Sequence, residues 1–307
     1  MPHHIKPMLA TLAKEPFDDK NWVFEIKWDG FRAIAEIKNG TPEIYSRNLL
    51  SFNDRFKPIV KSLSRIKKNV ILDGEIVVID KSGKSFFQLI QNYQNTGQGN
   101  LVYYVFDILY YDRSDLKNLP LMERKKILSE VLPEIKNIRY SEHIDQYGKK
   151  FYNLAKKMGL EGILAKRRDG IYLPGRRTSE WLKIKTHLQQ EAVIAGFTEP
   201  RGSRAKFGAL VLGVYERGRL KYIGHTGGGF NDQSLRHVYD KLKRLVTKTS
   251  AFENPPKTNA PVTWVRPKLV AEINFSEWTA DGHMRQPIFL GLRPDKDPKE
   301  VKKEIPK

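Results

Sequence analysis

Residues 23–33 read VFEIKWDGFRA, so a lysine lies between two carboxylates and a glycine follows the second of them. Alternation along this run places Glu25 and Lys27 on one face of a strand and the apolar residues on the other. A lysine on such a polar face is ordinarily a solvated surface charge. Its amine becomes a nucleophile only when it is unprotonated, a state that nearby positive charge or desolvation favours. Nucleophilic chemistry at Lys27 would therefore require further cations, carboxylates for a metal ion and a pocket for a base elsewhere in the chain.

Several short stretches supply groups of these kinds. Glu75 lies within the apolar run LDGEIV, where an unpaired carboxylate is costly, and Glu161 begins the strand-like run EGILAK. Alternation in EWLKIK directs Lys183 and Lys185 to one face, where they would repel each other unless an anion lay between them. Phe106 in the aromatic run YYVFDILYY could stack on a base, although core packing explains that segment more simply.

Other cations occur where a strand ends and near the C-terminus. Arg47 ends the strand-like run IYSRN and could bind a phosphate. Arg285, Arg293 and Lys296 surround the apolar centre of RQPIFLGLRPDK. These positions add to the set of groups that could contact a nucleotide or a nucleic-acid backbone.

The overall composition is strongly basic. The 307 residues include 54 Lys+Arg against 35 Asp+Glu, which gives a formal charge of +19. Such an excess favours a polyanionic partner, because neutralised phosphates release counterions. No apolar run approaches the roughly 20 residues that span a bilayer, and we recognise neither a secretory leader nor a lipidation signal. Zero cysteines exclude disulfides and thiolate zinc sites. We expect a cytoplasmic, nucleoid-associated monomer, with His3 and His4 at a mobile end rather than in a metal site.

The elements that must position these groups fall into two parts. The first part contains strands and helices in mixed order, with a hairpin turn at Asn39-Gly40. Its predicted strands are 31–38, 43–46, 70–79 and 101–111, its predicted helices are 53–68, 121–132 and 149–158, and a strand-rich stretch covers 161–185.

The texture changes after Thr186. Short strands are predicted at 192–197, 208–215, 220–225 and 269–275, with one helix capped by Asn231 or Asp232 between the last two. Several short strands with one inserted helix are typical of a small five-stranded barrel of the OB type. The charged tail from Pro294 is expected to be loose.

Seven motifs in order resemble those of the covalent nucleotidyltransferase superfamily and, within it, the ATP-dependent DNA ligases. The ligase domain of bacterial ligase D, an end-joining enzyme, is the subgroup with the closest resemblance. A single KxDG is a weak signal, whereas the ordered set is specific and the resemblance covers nearly the whole chain. The motifs are KWDGFR (27–32), SRN (46–48), LDGEIV (72–77), VFDILY (105–110), EGILAK (161–166), WLKIK (181–185) and RQPIFLGLR (285–293).

The resemblance implies an α+β fold. Residues 1–187 would form a nucleotidyltransferase, or adenylation, domain of antiparallel sheets flanked by helices. Residues 188–307 would form the OB-fold domain, with the C-terminal motif and the charged tail.

The resemblance also implies roles for residues around the nucleotide. Lys27 would take AMP from ATP as the nucleophile. Glu25 would read the adenine amino group, and Phe106 would stack on the adenine ring. Arg32 and Glu75 would hold the ribose side, with Glu75 also near a metal ion.

The remaining roles concern phosphates and the metal. Glu161 would help to bind Mg²⁺ or Mn²⁺, and Lys183 and Lys185 would contact the α-phosphate. Together these cations would lower the pKa of Lys27. Arg47 would contact the phosphate of the nucleotide or the nick, and Asp29 would assist adenylyl transfer or metal hydration.

The C-terminal motif would act on the leaving group. Arg285, Arg293 and Lys296 would orient the pyrophosphate. Relatives commonly end this motif with Arg-Glu-Asp-Lys, whereas a proline occupies position 294 here. A role for a carboxylate at that position is therefore in doubt, but the cations remain.

The resemblance implies sealing of nicked or broken duplex DNA through a lysyl-AMP intermediate, with a Ku-like end-binding protein and an end-joining polymerase as partners. Two other enzymes share the KxDG architecture, an RNA ligase and a GTP-dependent capping enzyme. A non-catalytic OB-fold protein that binds single strands is an alternative from another class, and the 11% aromatic content permits it. That alternative leaves the strand carboxylates Glu75 and Glu161 unexplained.

Overall fold

Two long β-rich runs of the sequence form the centre of one sheet. Residues 70–79 pair antiparallel with the strand that begins at Asn100, and both strands are almost entirely buried. The structure is a computed structural model that describes residues 1–200 and 205–306. The chain forms two units, one of Met1–Thr186 together with the last residues from Ile305, and one of His187–Glu304. No helix in the described ranges combines the length and apolarity that spanning a bilayer requires.

The first unit alternates strands and helices. Its elements are β1 (Leu9–Leu12), β2 (Trp22–Ile26), β3 (Phe31–Lys38), β4 (Thr41–Ser46), α1 (Lys57–Leu63), β5 (Val70–Ile79), α2 (Phe87–Thr96), β6 (Asn100–Tyr111), β7 (Ser114–Asp115), α3 (Leu121–Val131), β8 (Ile138–Tyr140), β9 (His143–Asp145), α4 (Gly148–Lys157), β10 (Gly162–Arg167) and β11 (Arg177–Lys185).

Two sheets organise this unit. One has the strand order β4-β3-β5-β6-β7, with β8 beside β6, and the other has the order β1-β11-β10-β2-β9. Pairing is antiparallel except between β1 and β11 and between β6 and β8. The second sheet matters most for chemistry, because β2, which precedes Lys27, pairs with β10, and β10 pairs in turn with β11. Both β10 and β11 carry other motif residues. The predicted α+β class is confirmed.

The predicted hairpin at Asn39-Gly40 is confirmed. Both residues have left-handed backbone angles, with φ of 51° and 77°, and this geometry suits a two-residue turn between twisted strands. Pro42 lies on β4, opposite Ile37 of β3, and β4 is an edge strand of its sheet. An edge position tolerates proline because the outer side of the strand needs no ladder donor.

The helices show two differences from the sequence pattern. The helix predicted over 53–68 is limited to α1, and Pro58 occupies its first turn, where a missing N–H costs nothing. The second helix, α2, was not predicted. Its first N–H, from Phe87, donates to the carboxylate of Asp29 at 3.0 Å. Because Asp29 is distant in the sequence, the residues just before α2 carry no capping signal from which the start of the helix could be predicted.

The second unit contains β12 (Leu188–Thr198), β13 (Leu210–Glu216), β14 (Arg219–Thr226), α5 (Asp232–Leu242), β15 (Val262–Phe275), β16 (Glu277–Trp278), β17 (Met284–Arg285) and β18 (Ile288–Leu292). The sheet order is β14-β13-β12-β15-β18, and a parallel bridge between Gly228 and Ile288 brings the chain after β14 beside β18. This pairing closes the predicted small barrel. Asn231 caps α5 by accepting from the N–H of Ser234.

The prediction of a loose tail from Pro294 is wrong. Val301 is buried in the core of the second unit. The backbone N–H of Glu304 donates to Gln190 Oε1 at 2.9 Å, and Lys296 forms an ion pair with Glu191. The charged residues of the tail therefore flank a docked segment.

Candidate active site

Lys27 directly follows β2 and forms a close ion pair. Its Nζ lies 2.5 Å from Glu161 Oε2, and its backbone N–H donates to the carbonyl of Gly162. The side chains of Lys27 and Glu161 are 20% and 7% exposed, so Lys27 is not a solvated surface lysine. Because β2 and β10 are antiparallel neighbours, the end of β2 and the start of β10 meet at this point.

Lys183 and Lys185 are among the last residues of β11, and Lys185 is close enough to the pair to act on the pKa of Lys27. Lys185 lies opposite Gly162 in the register of β10 and β11, and Lys183 lies opposite Leu164. Both side chains are half-buried. The sheet therefore brings together the end of β2, the start of β10 and the end of β11. These strand ends carry the candidate nucleophile, one carboxylate and the two predicted α-phosphate ligands.

The pKa of Lys27 is set by competing effects. Burial lowers this pKa, the carboxylate of Glu161 raises it, and Lys185 lowers it again, with a net pKa above the ordinary lysine value. The short ion pair outweighs the repulsion in this arrangement. The predicted lowering of the pKa includes a divalent cation at Glu161 and stays a prediction. Once Glu161 binds another cation, burial and Lys185 both favour the neutral amine.

We expect Lys27 in the Glu161→Gln variant to react several-fold faster with an amine-acylating reagent near neutral pH than Lys27 in the wild type. The carboxylate that raises the Lys27 pKa is removed, while burial and Lys185 remain. Mass spectrometry of the Lys27 peptide across a pH series measures the rate. The exposed Glu130 on α3, replaced by glutamine, is the matched control. Equal acylation rates in the wild type and Glu161→Gln would contradict the assignment.

Glu25 lies on β2 and is fully buried, so protein rather than solvent covers this side chain. Its two carboxylate oxygens accept one hydrogen bond each, from Lys125 and from Lys166, both at 2.8 Å. Burial raises the pKa of Glu25, but the two ammonium groups outweigh this effect and hold it below the ordinary value. The structure thus gives the Glu25 carboxylate two lysine partners in the interior, and reading of adenine by this side chain stays a prediction.

Phe106 on β6 is only 2% exposed. Lys166 Nζ lies 4.2 Å from its ring centroid, the Arg32 guanidinium lies 4.8 Å away, and Trp181 meets it edge to face at 6.0 Å. Burial lowers the pKa of Lys166 to about 8, and Lys125 adds to this effect against the attraction of Glu25. Phe106 therefore packs in the core between cations, and stacking on adenine stays a prediction.

Arg32 on β3 is held by a carboxylate that the sequence interpretation did not single out. Its Nε and Nη2 donate to Asp73 at 2.7 and 2.5 Å, and the hydroxyl of Tyr172 donates to the same carboxylate at 2.6 Å. Burial lowers the pKa of Arg32, but the carboxylate of Asp73 raises this pKa by more, so the guanidinium stays charged. Glu75 lies opposite Arg32 in the register of β3 and β5, which agrees with a shared position on the predicted ribose side.

Asp29 and the glycine after it have structural tasks in the KWDG motif. The carboxylate of Asp29 stabilises the positive N-terminal end of α2 through Phe87. A Cβ at Gly30 would lie 2.2 Å from the carbonyl oxygen of Ile76, so only glycine allows this close approach to β5. Asp29 also raises the pKa of Lys27, which places its charge near the candidate nucleophile. Its role in adenylyl transfer or metal hydration stays a prediction.

The other predicted phosphate ligands occupy two places. Arg47 directly follows β4 and is half-buried. Arg285, Arg293 and Lys296 belong to the second unit, where each has a carboxylate partner. These pairs are Arg285–Glu277 at 2.6 Å, Arg293–Asp295 at 2.8 Å with Glu272 at 3.1 Å, and Lys296–Glu191 at 2.7 Å.

The arrangement agrees with comparisons to known proteins. A family described as "ATP dependent DNA ligase domain" matches residues 7–185, and one described as "ATP dependent DNA ligase C terminal region" matches residues 203–296. The chain belongs to the ATP-dependent DNA ligase family.

Individual relatives of this DNA ligase-family chain are end-joining proteins. The multifunctional non-homologous end joining protein LigD of Pseudomonas aeruginosa is 37% identical over 315 residues, which cover 100% of this chain and 37% of that protein. The LigD protein of Mycolicibacterium smegmatis is 39% identical, covering 98% of this chain and 40% of that protein. The chain thus spans well under half the length of these curated relatives. A solved structure of mycobacterial DNA ligase D complexed with ATP and MES is 33% identical, with a TM-score of 0.72 and 98% of each chain covered.

The residues of this DNA ligase-family chain fit a hard divalent cation at Glu161. Its carboxylate is nearly buried, and the Lys27 ammonium group lies 2.5 Å from one of its oxygens. Mg²⁺ is usually held by one or two carboxylates together with substrate phosphates and waters. One or two protein carboxylates are therefore enough for a site of this kind. Glu75 is the second candidate, on β5 and half-buried.

Sequence reasoning missed Asp73, Lys125 and Tyr172 as members of the site. A signal existed for Asp73, because it shares the buried strand β5 with Glu75 at a spacing of two residues. A signal for Lys125 existed in α3, whose buried stripe consists of Leu121, Arg124, Lys125 and Leu128. Charged residues inside such a stripe require partners across the core. Tyr172 carried no comparable signal, because it lies in an irregular segment between β10 and β11.

Proposed function

We propose that this chain seals nicks with 3′-OH and 5′-phosphate ends in duplex DNA, using ATP and a lysyl-AMP intermediate on Lys27. The observation that carries the proposal is the largely buried Lys27–Glu161 pair, which lies where β2 ends and β10 begins, beside the end of β11 that carries Lys183 and Lys185. Membership of the ATP-dependent DNA ligase family supports the substrate and the nucleotide.

The proposed reaction proceeds through three bond exchanges. The neutral Nζ of Lys27 attacks the α-phosphorus of ATP, a P–N bond forms, and the P–O bond to pyrophosphate breaks. Lys183 and Lys185 would stabilise the charge on the α-phosphate. In the second exchange a 5′-phosphate oxygen of the DNA attacks the phosphorus of the adenylate, a P–O–P bond forms, and the P–N bond to Lys27 breaks. In the third exchange the neighbouring 3′-OH attacks the DNA 5′-phosphorus, the phosphodiester bond forms as the hydroxyl loses its proton, and AMP leaves. The Lys27 amine must lose its proton before the first step, so release of Glu161 from the ion pair is part of activation.

Glu161 and Glu75 would hold Mg²⁺ or Mn²⁺, since carboxylate and phosphate oxygens suit these ions. When bound, such an ion neutralises phosphate charge during pyrophosphate departure. Glu161 is otherwise the partner that keeps Lys27 protonated. The same carboxylate thus links cation binding to the protonation state of the nucleophile.

We assign residues 1–187 to the nucleotidyltransferase domain and 188–307 to the OB-fold domain, which the division of the chain near Thr186 supports. Arg285, Arg293 and Lys296 would orient pyrophosphate from the second domain. Arg293 is largely buried between Glu272 and Asp295, so this role requires an exchange of ion-pair partners.

The proposed setting is end joining. The LigD relatives are non-homologous end joining proteins by name. We propose nicked or broken duplex DNA as the substrate, a Ku-like end-binding protein and an end-joining polymerase as partners, and a monomeric, nucleoid-associated chain. The charge of +19 supports binding to the DNA backbone.

The test is sealing of a 5′-labelled nicked duplex by the purified chain. We expect sealing with ATP and Mg²⁺ and none with GTP, and we expect a nicked DNA strand to be sealed faster than its RNA equivalent. Denaturing gels measure the sealed product. Preference for the RNA strand would identify an RNA ligase, and use of GTP would identify a capping-type enzyme. Binding of single strands without sealing would identify the OB-fold alternative.

A further inference from the structure

A cluster of metal-ligating side chains lies beside the β3–β4 hairpin, outside the site built around Lys27. Among residues 1–200 and 205–306, His3, His4 and Glu43 form a group in which one ligand atom from each lies within 4.8 Å of the others. All three side chains are accessible, with exposed fractions between 43% and 59%. The expectation that the two histidines lie at a mobile end is wrong, because both rings have partners on the hairpin.

One ligand distance is already that of a metal site. His4 Nε2 and Glu43 Oε1 are 3.3 Å apart. Two tetrahedral zinc ligands with bonds of about 2.1 Å lie about 3.4 Å from each other, so these two atoms could bind one ion without moving. The His3 ring stacks on the His4 ring with centroids 3.6 Å apart, which keeps the third ligand next to the other two.

A buried carboxylate orients one of the rings. His3 Nδ1 lies 2.6 Å from Glu36 Oε2, and Glu36 is only 3% exposed. Glu36 also accepts from the backbone N–H of His4 and from the hydroxyl of Tyr45, so its position is fixed. Histidines that ligate metals generally donate their second ring N–H to a carboxylate in this way, which leaves the lone pair of the other nitrogen for the ion.

We propose that His3, His4 and Glu43 bind a divalent transition-metal ion of the zinc type, with Glu36 as the residue that orients His3. Two imidazoles and one carboxylate suit Zn²⁺ and disfavour Mg²⁺, which prefers oxygen ligands. The ion would fasten the segment before β1 to the hairpin. That segment also contributes the Met8 carbonyl, which accepts from Arg32. The site is structural, and Lys27 chemistry does not depend on it.

Calorimetric titration of the chelator-treated full chain with Zn²⁺ tests this site. We expect one saturable equivalent, retained in excess Mg²⁺, together with a zinc-dependent rise in the temperature of unfolding. His4→Gln and Glu43→Gln remove ligands from accessible positions and should weaken zinc binding by at least about tenfold. Glu36→Gln should weaken it by about 10–100-fold while leaving all three ligands in place.

The matched control is His187→Gln, which removes an exposed histidine that does not belong to the cluster. It should bind zinc as the wild type does. Absence of a saturable equivalent in the wild type, or unchanged zinc affinity in both His4→Gln and Glu43→Gln, would overturn the proposal. Circular dichroism of each variant without zinc separates loss of the site from loss of the fold.

Discussion

Lys27→Ala should lose transfer of label from α-labelled ATP to the protein, by at least about 10⁴-fold, the scale on which loss of a covalent nucleophile acts. Lys183 and Lys185 are not expected to replace it, since they project from a different strand and are the proposed phosphate ligands. Label that survives denaturing electrophoresis measures the reaction, and mass spectrometry locates the adenylate.

Lys27→Arg separates charge from nucleophilicity. The guanidinium can keep an ion pair with Glu161, but it does not lose its proton in proteins, so adenylation should fail as completely as in the alanine variant. Lys61→Arg, on the exposed side of α1, is the matched control and should label normally. Both Lys27 variants should still seal a nick that already carries a 5′-adenylate, because the role of Lys27 ends once AMP has left it. Sealing of an ordinary nick by Lys27→Arg at the wild-type rate would disprove the mechanism.

Much of the fold could be predicted because the relevant signals are local. The strand over 70–79 and the hairpin at Asn39-Gly40 follow from apolar content and turn chemistry within a few residues. The α5 helix was predicted with Asn231 or Asp232 as its cap, and Asn231 is the capping residue. The helix α2 could not be found in this way, because the carboxylate that caps it belongs to Asp29 on another part of the chain.

The candidate site was predictable in its members but not in their partners. Motif order identified Lys27 and Glu161, and the antiparallel register of β2 and β10 explains why they meet. The sequence did not show that Glu161 would pair with the nucleophile and raise its pKa. A pKa depends on distances of a few ångströms across the sheet, and spacing along the chain does not contain those distances.

The same limit explains Glu25. Alternation along β2 placed Glu25 on a polar face but did not show what covers that face. In the structure α3 supplies Lys125 to Glu25 from across the core. A face that carries charges can therefore be fully buried when three ionised groups satisfy each other. The price of that burial is conformational restriction, since each member must stay in place for the others to remain charged.

A second buried ion pair supports the central sheet. Asp107 on β6 and Arg124 on α3 are both 0% exposed, and the guanidinium donates to the carboxylate at 2.8 and 2.9 Å. Arg124 also donates to the carbonyl of Gly170 at 3.0 Å. The pair thus connects the helix, the sheet and the loop that leads to Tyr172. Tyr172 in turn donates to Asp73, the carboxylate that binds Arg32.

Asp107→Asn should lower the free energy of unfolding of the first unit by about 3–5 kcal/mol, because it leaves the buried Arg124 charge without a counterion. The double variant Asp107→Asn/Arg124→Met should be less destabilised than the sum of the two single variants, since no uncompensated charge remains. Urea denaturation measures each free energy. Asp169→Asn is the control, because Asp169 forms a similar two-point contact with Arg167 at 2.9 and 3.0 Å but in solvent, and its change should lie within experimental error. If Asp107→Asn and Asp169→Asn changed the free energy of unfolding equally, the buried Asp107–Arg124 pair would contribute no more to stability than the exposed Asp169–Arg167 pair. The prediction would then be wrong.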